Sequence, residues 1–151
     1  MKEYVVVLEA ASGTNGGSHN AITYQFDWSV LDDIPYDVCF SFASDTMTTT
    51  AATVNSIVAT DLFTGSTYEA STSQVAKTSN ALGLIFGVVG ATGTSCLVAD
   101  KDANPPIYLP GRPRQNSFTV NLFQLNGSTL NTLFTTSINY CLILHFKPHK
   151  E

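Results

Sequence analysis

Hydrophobic side chains recur at every second position in two runs near the start of the chain, and this alternation limits what the chain can become. Ile22, Tyr24, Phe26 and Trp28 alternate with Thr23, Gln25 and Asp27. Tyr36, Val38, Phe40 and Phe42 alternate with Asp37, Cys39 and Ser41. In an extended chain successive side chains point to opposite faces, so each run presents one core face and one polar face. Leu31-Asp32-Asp33-Ile34-Pro35 lies between the runs and carries turn chemistry.

The same period returns near the C-terminus. Phe118, Val120 and Leu122 line one face, and Asn126-Gly127 follows as a turn signal. The last run places Ile138, Tyr140, Leu142, Leu144 and Phe146 on one face. Its other face, Asn139, Cys141, Ile143 and His145, is also partly apolar, so this strand is expected to be sheltered on both sides, by a loop or by another subunit. Strands are further expected over residues 3–9, 54–63, 82–89 and 95–99, with connectors rich in Gly, Ser and Thr over 11–20, 43–53 and 64–80. Residues 71–81 offer at best a short helical turn.

About eight strands in one domain, joined by turns and several long loops, point to a sandwich or barrel. Long connections between strongly patterned strands favour Greek-key crossings, and the natural eight-strand solution is an all-β single jelly roll of two packed four-stranded antiparallel sheets. The whole chain, 1–151, reads as that single domain. Its length allows it to build its own core without staples.

Charge is scarce. Asp, Glu, Lys and Arg make up 13% of residues, against about 25% in a typical soluble domain. No Lys or Arg occurs between Lys2 and Lys77. Sheet proteins that live alone blunt their edges with charge, Lys above all, so a β domain that omits the device is expected to pack against neighbours. The net charge of −5 argues against direct binding of nucleic acid. The later cations, Lys101, Arg112, Arg114, Lys147 and Lys150, are the ones able to form a local patch. No segment approaches the ~18 apolar residues of a membrane span, and Met1-Lys2-Glu3 leads into a strand without a signal-peptide layout, so a cytosolic site of synthesis is expected.

Cys39, Cys96 and Cys141 are odd in number and widely spaced, which reads as buried free thiols acting as small apolar residues, with a Cys39–Cys141 disulfide left open. The run from Gly87 to Gly93 lacks the Lys-Ser/Thr of a phosphate loop and any following helix, so it reads as a glycine-rich hairpin. Asp100-Lys101-Asp102-Ala103-Asn104 opens like a calcium loop, but Pro105 and Gly111 stand where an EF-hand needs Gly and Glu; a solvated turn is the simpler reading. His145 and His149 have helical metal-pair spacing on a strand end, where that spacing has no meaning. No Ser sits in a nucleophile elbow. Asn126-Gly127-Ser128 matches a glycosylation acceptor but is already explained as a turn. The sequence therefore reads as non-enzymatic, with no cofactor and no metal.

Three segments carry a resemblance. They are Tyr24-Gln25-Phe26-Asp27-Trp28-Ser29-Val30-Leu31 with Tyr36 to Phe42 after it, Asn104-Pro105-Pro106-Ile107-Tyr108-Leu109-Pro110-Gly111-Arg112-Pro113 followed by Asn116 and Phe118-Thr119-Val120, and the closing Tyr140 to Phe146. Together they resemble the small single-jelly-roll capsid proteins, penton or minor, of large icosahedral double-stranded DNA viruses and virophages. The resemblance implies a structural subunit of the virion, synthesised in the host cytoplasm, that forms a homopentamer at the capsid vertex and contacts neighbouring capsid proteins. It leaves open a minor capsid position away from the vertex. A subunit contact is expected at the rigid loop 104–113, through Asn104, Pro105, Pro106, Tyr108, Pro110, Arg112, Pro113 and the adjoining Arg114, since prolines lower the ordering cost of binding. The rival reading is a carbohydrate- or receptor-binding β-sandwich, although Trp28, the only Trp, falls on the core-facing series.

Overall fold

The computed structural model describes residues 2–47, 55–63, 67–69, 77–79, 81–90, 93–125 and 130–151. These residues hold no α-helix, only strands and two single 3-10 turns. The strands are β1 (Tyr4–Glu9), β2 (Thr14–Asn15), β3 (Ala21–Gln25), β4 (Tyr36–Ser44), β5 (Ser56–Thr60), β6 (Thr67–Glu69), β7 (Lys77–Ser79), β8 (Ala81–Val89), β9 (Ser95–Ala99), β10 (Ile107–Leu109), β11 (Ser117–Gln124) and β12 (Tyr140–Pro148).

Every ladder is antiparallel. Nine strands pair side by side in the order β1-β12-β4-β9-β8-β5-β11-β3-β2, β10 adds to β4, and β6 pairs only with β7. The pairing is nested. β5 meets β8, β4 meets β9, β3 meets β11 and β1 meets β12, so the chain doubles back on itself at its middle and its strands form one curled antiparallel sheet. β8 joins the two halves of the sheet. Its first residues pair with β5 and its last with β9.

The expected core faces are the observed ones. Along β4 and β12 buried residues alternate with half-buried ones, with Tyr36, Val38, Phe40 and Phe42 inward from one strand and Tyr140, Leu142, Leu144 and Phe146 from the other. The sheet curls until its two halves meet through aromatic rings. Trp28 touches Phe118 of β11 at 5.6 Å between centroids and Phe146 of β12 at 5.5 Å. Trp28 is 1% exposed, and its indole N–H donates to the Gln115 carbonyl at 3.0 Å. Its backbone does not continue the strand as the alternation implies: β3 ends at Gln25, and Asp27 caps a 3-10 turn by accepting from the Ser29 N–H at 3.0 Å. A turn residue thus supplies the ring that the period assigned to a strand.

Several expected connectors contain structure. The stretch 11–20 includes β2, and its His19 is buried with Nδ1 2.5 Å from the Ile138 carbonyl oxygen. The connector 64–80 contains β6 and β7, and β4 runs on through Ser44 into 43–53. Within 71–81 only residues 77–79 and 81 are described, and these are extended, in β7 and at the start of β8; the rest of the expected helical turn lies outside the described residues. The Asn126-Gly127 turn lies outside the described residues.

The aromatic seam makes a direct prediction. Trp28→Ala removes the largest fully buried side chain and is expected to lower stability by about 3–5 kcal/mol, read from urea unfolding.

Candidate functional site

The loop 104–113 was the candidate contact, and its residues divide into those that hold the fold and those that face outward. β9 runs along β4 until Ala99 lies opposite Phe42, and β10 resumes with Ile107 opposite Val38. Eight positions separate Ala99 from Ile107 but only four separate Val38 from Phe42, so four extra residues bulge away from the ladder. Asn104 closes the resulting gap from the inside. Its carboxamide accepts from the Leu84 N–H and donates to the Leu84 carbonyl, both at 2.9 Å, in the place a neighbouring strand would occupy on β8. Gly83 makes this approach possible: its φ is +154°, and a Cβ there would stand 2.5 Å from the Asn104 side chain.

Arg112 is likewise structural. Its guanidinium donates to the carbonyls of Leu31 at 2.8 Å and Ser29 at 3.4 Å, fastening the loop to the turn that carries Trp28. Pro113 is buried. By contrast Pro105, Pro106, Tyr108, Pro110 and Arg114 are exposed. Arg114 contacts Asp33 at 2.6 Å in the open, and that hydrogen bond holds the Asp33 carboxyl below its ordinary range. Tyr108 sets its ring edge-on to His149, at 4.8 Å between centroids.

A groove of about 1030 Å³ opens beside the bulge. One wall is the loop, with Lys101, Asp102 and Pro106; the other is formed by Glu3, Lys147 and Lys150; Cys39 and Asp37 lie between. The later cations therefore separate: Lys101, Lys147 and Lys150 gather here, while Arg112 and Arg114 serve the far end of the loop. His149 Nδ1 stands 2.9 Å from Asp37 Oδ1, which ties the C-terminal stretch to β4. Next to the groove the Ser41 hydroxyl and His145 Nε2 lie 3.2 Å apart. Covalent catalysis by such a pair needs a third group to orient the imidazole. Among the described residues no hydrogen bond to its other nitrogen is present. No three carboxylate, thiol or imidazole side chains among the described residues gather to hold a metal.

The cysteines depart from their expected place. All three are free and half-buried, on the outward face rather than in the core. Cys141 pairs with Ala43 and Cys39 with His145, four residues further along β4. That offset is ~14 Å at ~3.4 Å per residue, beyond the reach of a disulfide. Burial and the nearby Glu9 push the Cys141 thiol above its ordinary value.

These elements define an antiparallel all-β protein with a charged groove beside an apolar sheet face. No protein-family model matches the chain, and no curated protein matches it in sequence. Among the described residues no helix is long and apolar enough to cross a membrane.

The loop's division of labour is testable by urea unfolding. Asn104→Ala strands a part-buried backbone N–H and carbonyl on Leu84 and is expected to cost about 1–2 kcal/mol, and Arg112→Ala about 1.5–3 kcal/mol. Arg114→Ala, at an exposed ion pair, is expected to leave the unfolding midpoint unchanged.

A pH effect follows from His145. Burial, with Lys101 and Lys147 acting in the same direction, depresses its imidazole below the ordinary 6.5. The unfolded chain then binds this proton more readily than the folded one, so the neutral ring's contribution is complete above pH 6.5 and is lost as pH falls through that value towards the folded pKa. The unfolding midpoint is expected to drop on acidification over this window, and His145→Gln to flatten the drop.

Proposed function

We propose that the chain is a non-enzymatic structural subunit, a single jelly roll that assembles with copies of itself into an icosahedral viral shell, as a penton protein in a five-fold ring. The observation that carries the reading is the nested pairing. Rolling a doubled antiparallel ribbon is what builds a jelly roll, and the order supports two facing layers, β1-β12-β4-β9 and β3-β11-β5-β8, joined where β8 meets β9. Such folds serve many functions, so architecture alone assigns none. The capsid assignment rests on the resemblance of the Trp28 block, the Asn104-Pro105-Pro106 loop and the last strand to small capsid proteins, together with the low charge. Position at the vertex is preferred to a minor capsid position because head-to-tail contacts through projecting loop ends close naturally into a ring.

Two features support this reading over a sugar- or receptor-binding module. The only tryptophan is spent on the core, which removes the strongest platform for a sugar ring. The exposed prolines Pro105, Pro106 and Pro110, with Tyr108, form a rigid apolar projection suited to meeting a neighbouring subunit.

The experiment is the solution mass by light scattering, with electron micrographs of the same sample. Five-fold rings are expected, with a mass near five times 16.2 kDa or a whole multiple of that value. A monomer that binds glycans, or turns over a small metabolite, would remove the proposal.

A further inference from the structure

An antiparallel sheet with one face on the core normally carries polar side chains on the other. The outer face of β1, β12, β4, β9 and β8 does not. One row across these strands runs Glu9, Cys141, Ala43, Val98 and Phe86. The row beside it on one flank is Val7, Ile143 and Ser41, and then Val5, His145 and Cys39; on the other flank Cys96 faces Val88. The only polar groups inside the area, Ser41 and His145, are hydrogen-bonded to each other. Val5 is 58% exposed, Val7 54% and Val88 45%. Charges of both signs stand around this centre: Glu3, Glu9, Asp37 and Lys147 at the margin, and Asp100, Lys101 and Asp102 of the bulge, which reach in as far as Ser41 and His145.

We propose that this face is an interface, covered by the same face of a second copy of the chain. Its rows hold thirteen residues; at ~4.8 Å by ~6.8 Å per residue on one face they cover about 420 Å², so a pair covers ~850 Å², the size of a weak, reversible contact. The charge pattern selects the occupant. In a two-fold contact each residue near the axis meets its own kind, so a central charge would repel itself. A centre without charge and a margin of mixed sign suit self-pairing, and two sheets stack at ~10 Å through side chains of this size. The thiols are a second, independent observation. Cys39, Cys96 and Cys141 are all free, and all lie on this face, where stacking would shield groups otherwise open to oxidation.

The proposal rests on the assembly reading only in requiring that copies meet. It is tested on the full chain by light scattering and by the rate of maleimide labelling of its thiols. Val5→Lys/Val7→Lys alters two exposed positions at the sheet edge, and Val30→Lys, at a residue 60% exposed outside the face, is the control. The native chain and the control are expected to associate and to label slowly. The double variant, with a native β-sheet spectrum, is expected to lose that pairing and to label about tenfold faster or more, since two buried charges weaken the contact by at least that factor. A native chain that assembles yet labels as fast as the double variant overturns the proposal and leaves the assembly reading standing. So does a double variant that pairs as strongly as the native chain. A native chain that stays monomeric with fast-labelling thiols overturns both.

Discussion

The last strand is locked between the first and the fourth, and the rest of the molecule follows from that insertion. β12 matches β4 over all nine residues of both strands and β1 over six. Because side chains alternate, a slip of one residue along either ladder would send Leu142, Leu144 and Phe146 to the outside and Cys141, Ile143 and His145 into the core. Register is therefore fixed by burial on the inner face. The partners are far apart in the chain, and each such loop closure costs entropy before any contact rewards it. The aromatic seam of Trp28, Phe118 and Phe146 gathers three distant segments at one point and so supplies the long-range reward.

The strands with one polar and one apolar face were legible in the sequence because burial writes a period of two into them. Trp28 was legible as a core residue but not as a turn residue, since alternation records which way a side chain points and not whether the backbone still pairs. β2, β6, β7 and β10 were hidden for a different reason. Each is two or three residues long, too short to show a period, and each exists through a partner elsewhere in the chain. The loop 104–113 looked like a contact because it is rich in proline. Three of the eight candidate residues serve packing instead: Asn104 stands in for a missing strand beside Leu84, Arg112 pins two carbonyls, and Pro113 is buried. No local pattern distinguishes an asparagine that bridges a gap in a ladder from one in an ordinary turn.

The outer face of β12 was partly foreseen, because Cys141, Ile143 and His145 form a second apolar series that a solvated strand does not need. The sequence offered two shelters, a loop or a subunit. The structure gives the loop only a small share. The bulge reaches Ser41 and His145, through Lys101 and Asp102, and leaves Val7, Ile143 and Cys141 beyond it. What the sequence lacked was the lateral order. Val5, Ile143, Ala43, Val98 and Val88 are scattered along the chain, and only the ladders bring them onto one surface.

The scarcity of charge has a spatial logic that composition alone does not reveal. Among the described residues the strand order ends at β1 and at β2, and these two edges are finished differently. The β2 edge is two residues long with glycines on either side, a short edge that offers little to a passing strand. The β1 edge is six residues long and carries two exposed valines, yet no lysine follows Lys2 along it. Three of the later cations line the groove at the foot of this face, and two serve the far end of the loop, so none is left to guard the edge. The proposed pairing of copies there carries a built-in order of events. The face draws on β1, β4, β8, β9 and β12, which together span Tyr4 to Pro148, so it exists only after the last strand has entered the sheet. An unfinished chain holds some of the same valines and cysteines but not their arrangement. A face assembled last is the safest place to leave uncharged, because recognition between copies then waits for the completed fold.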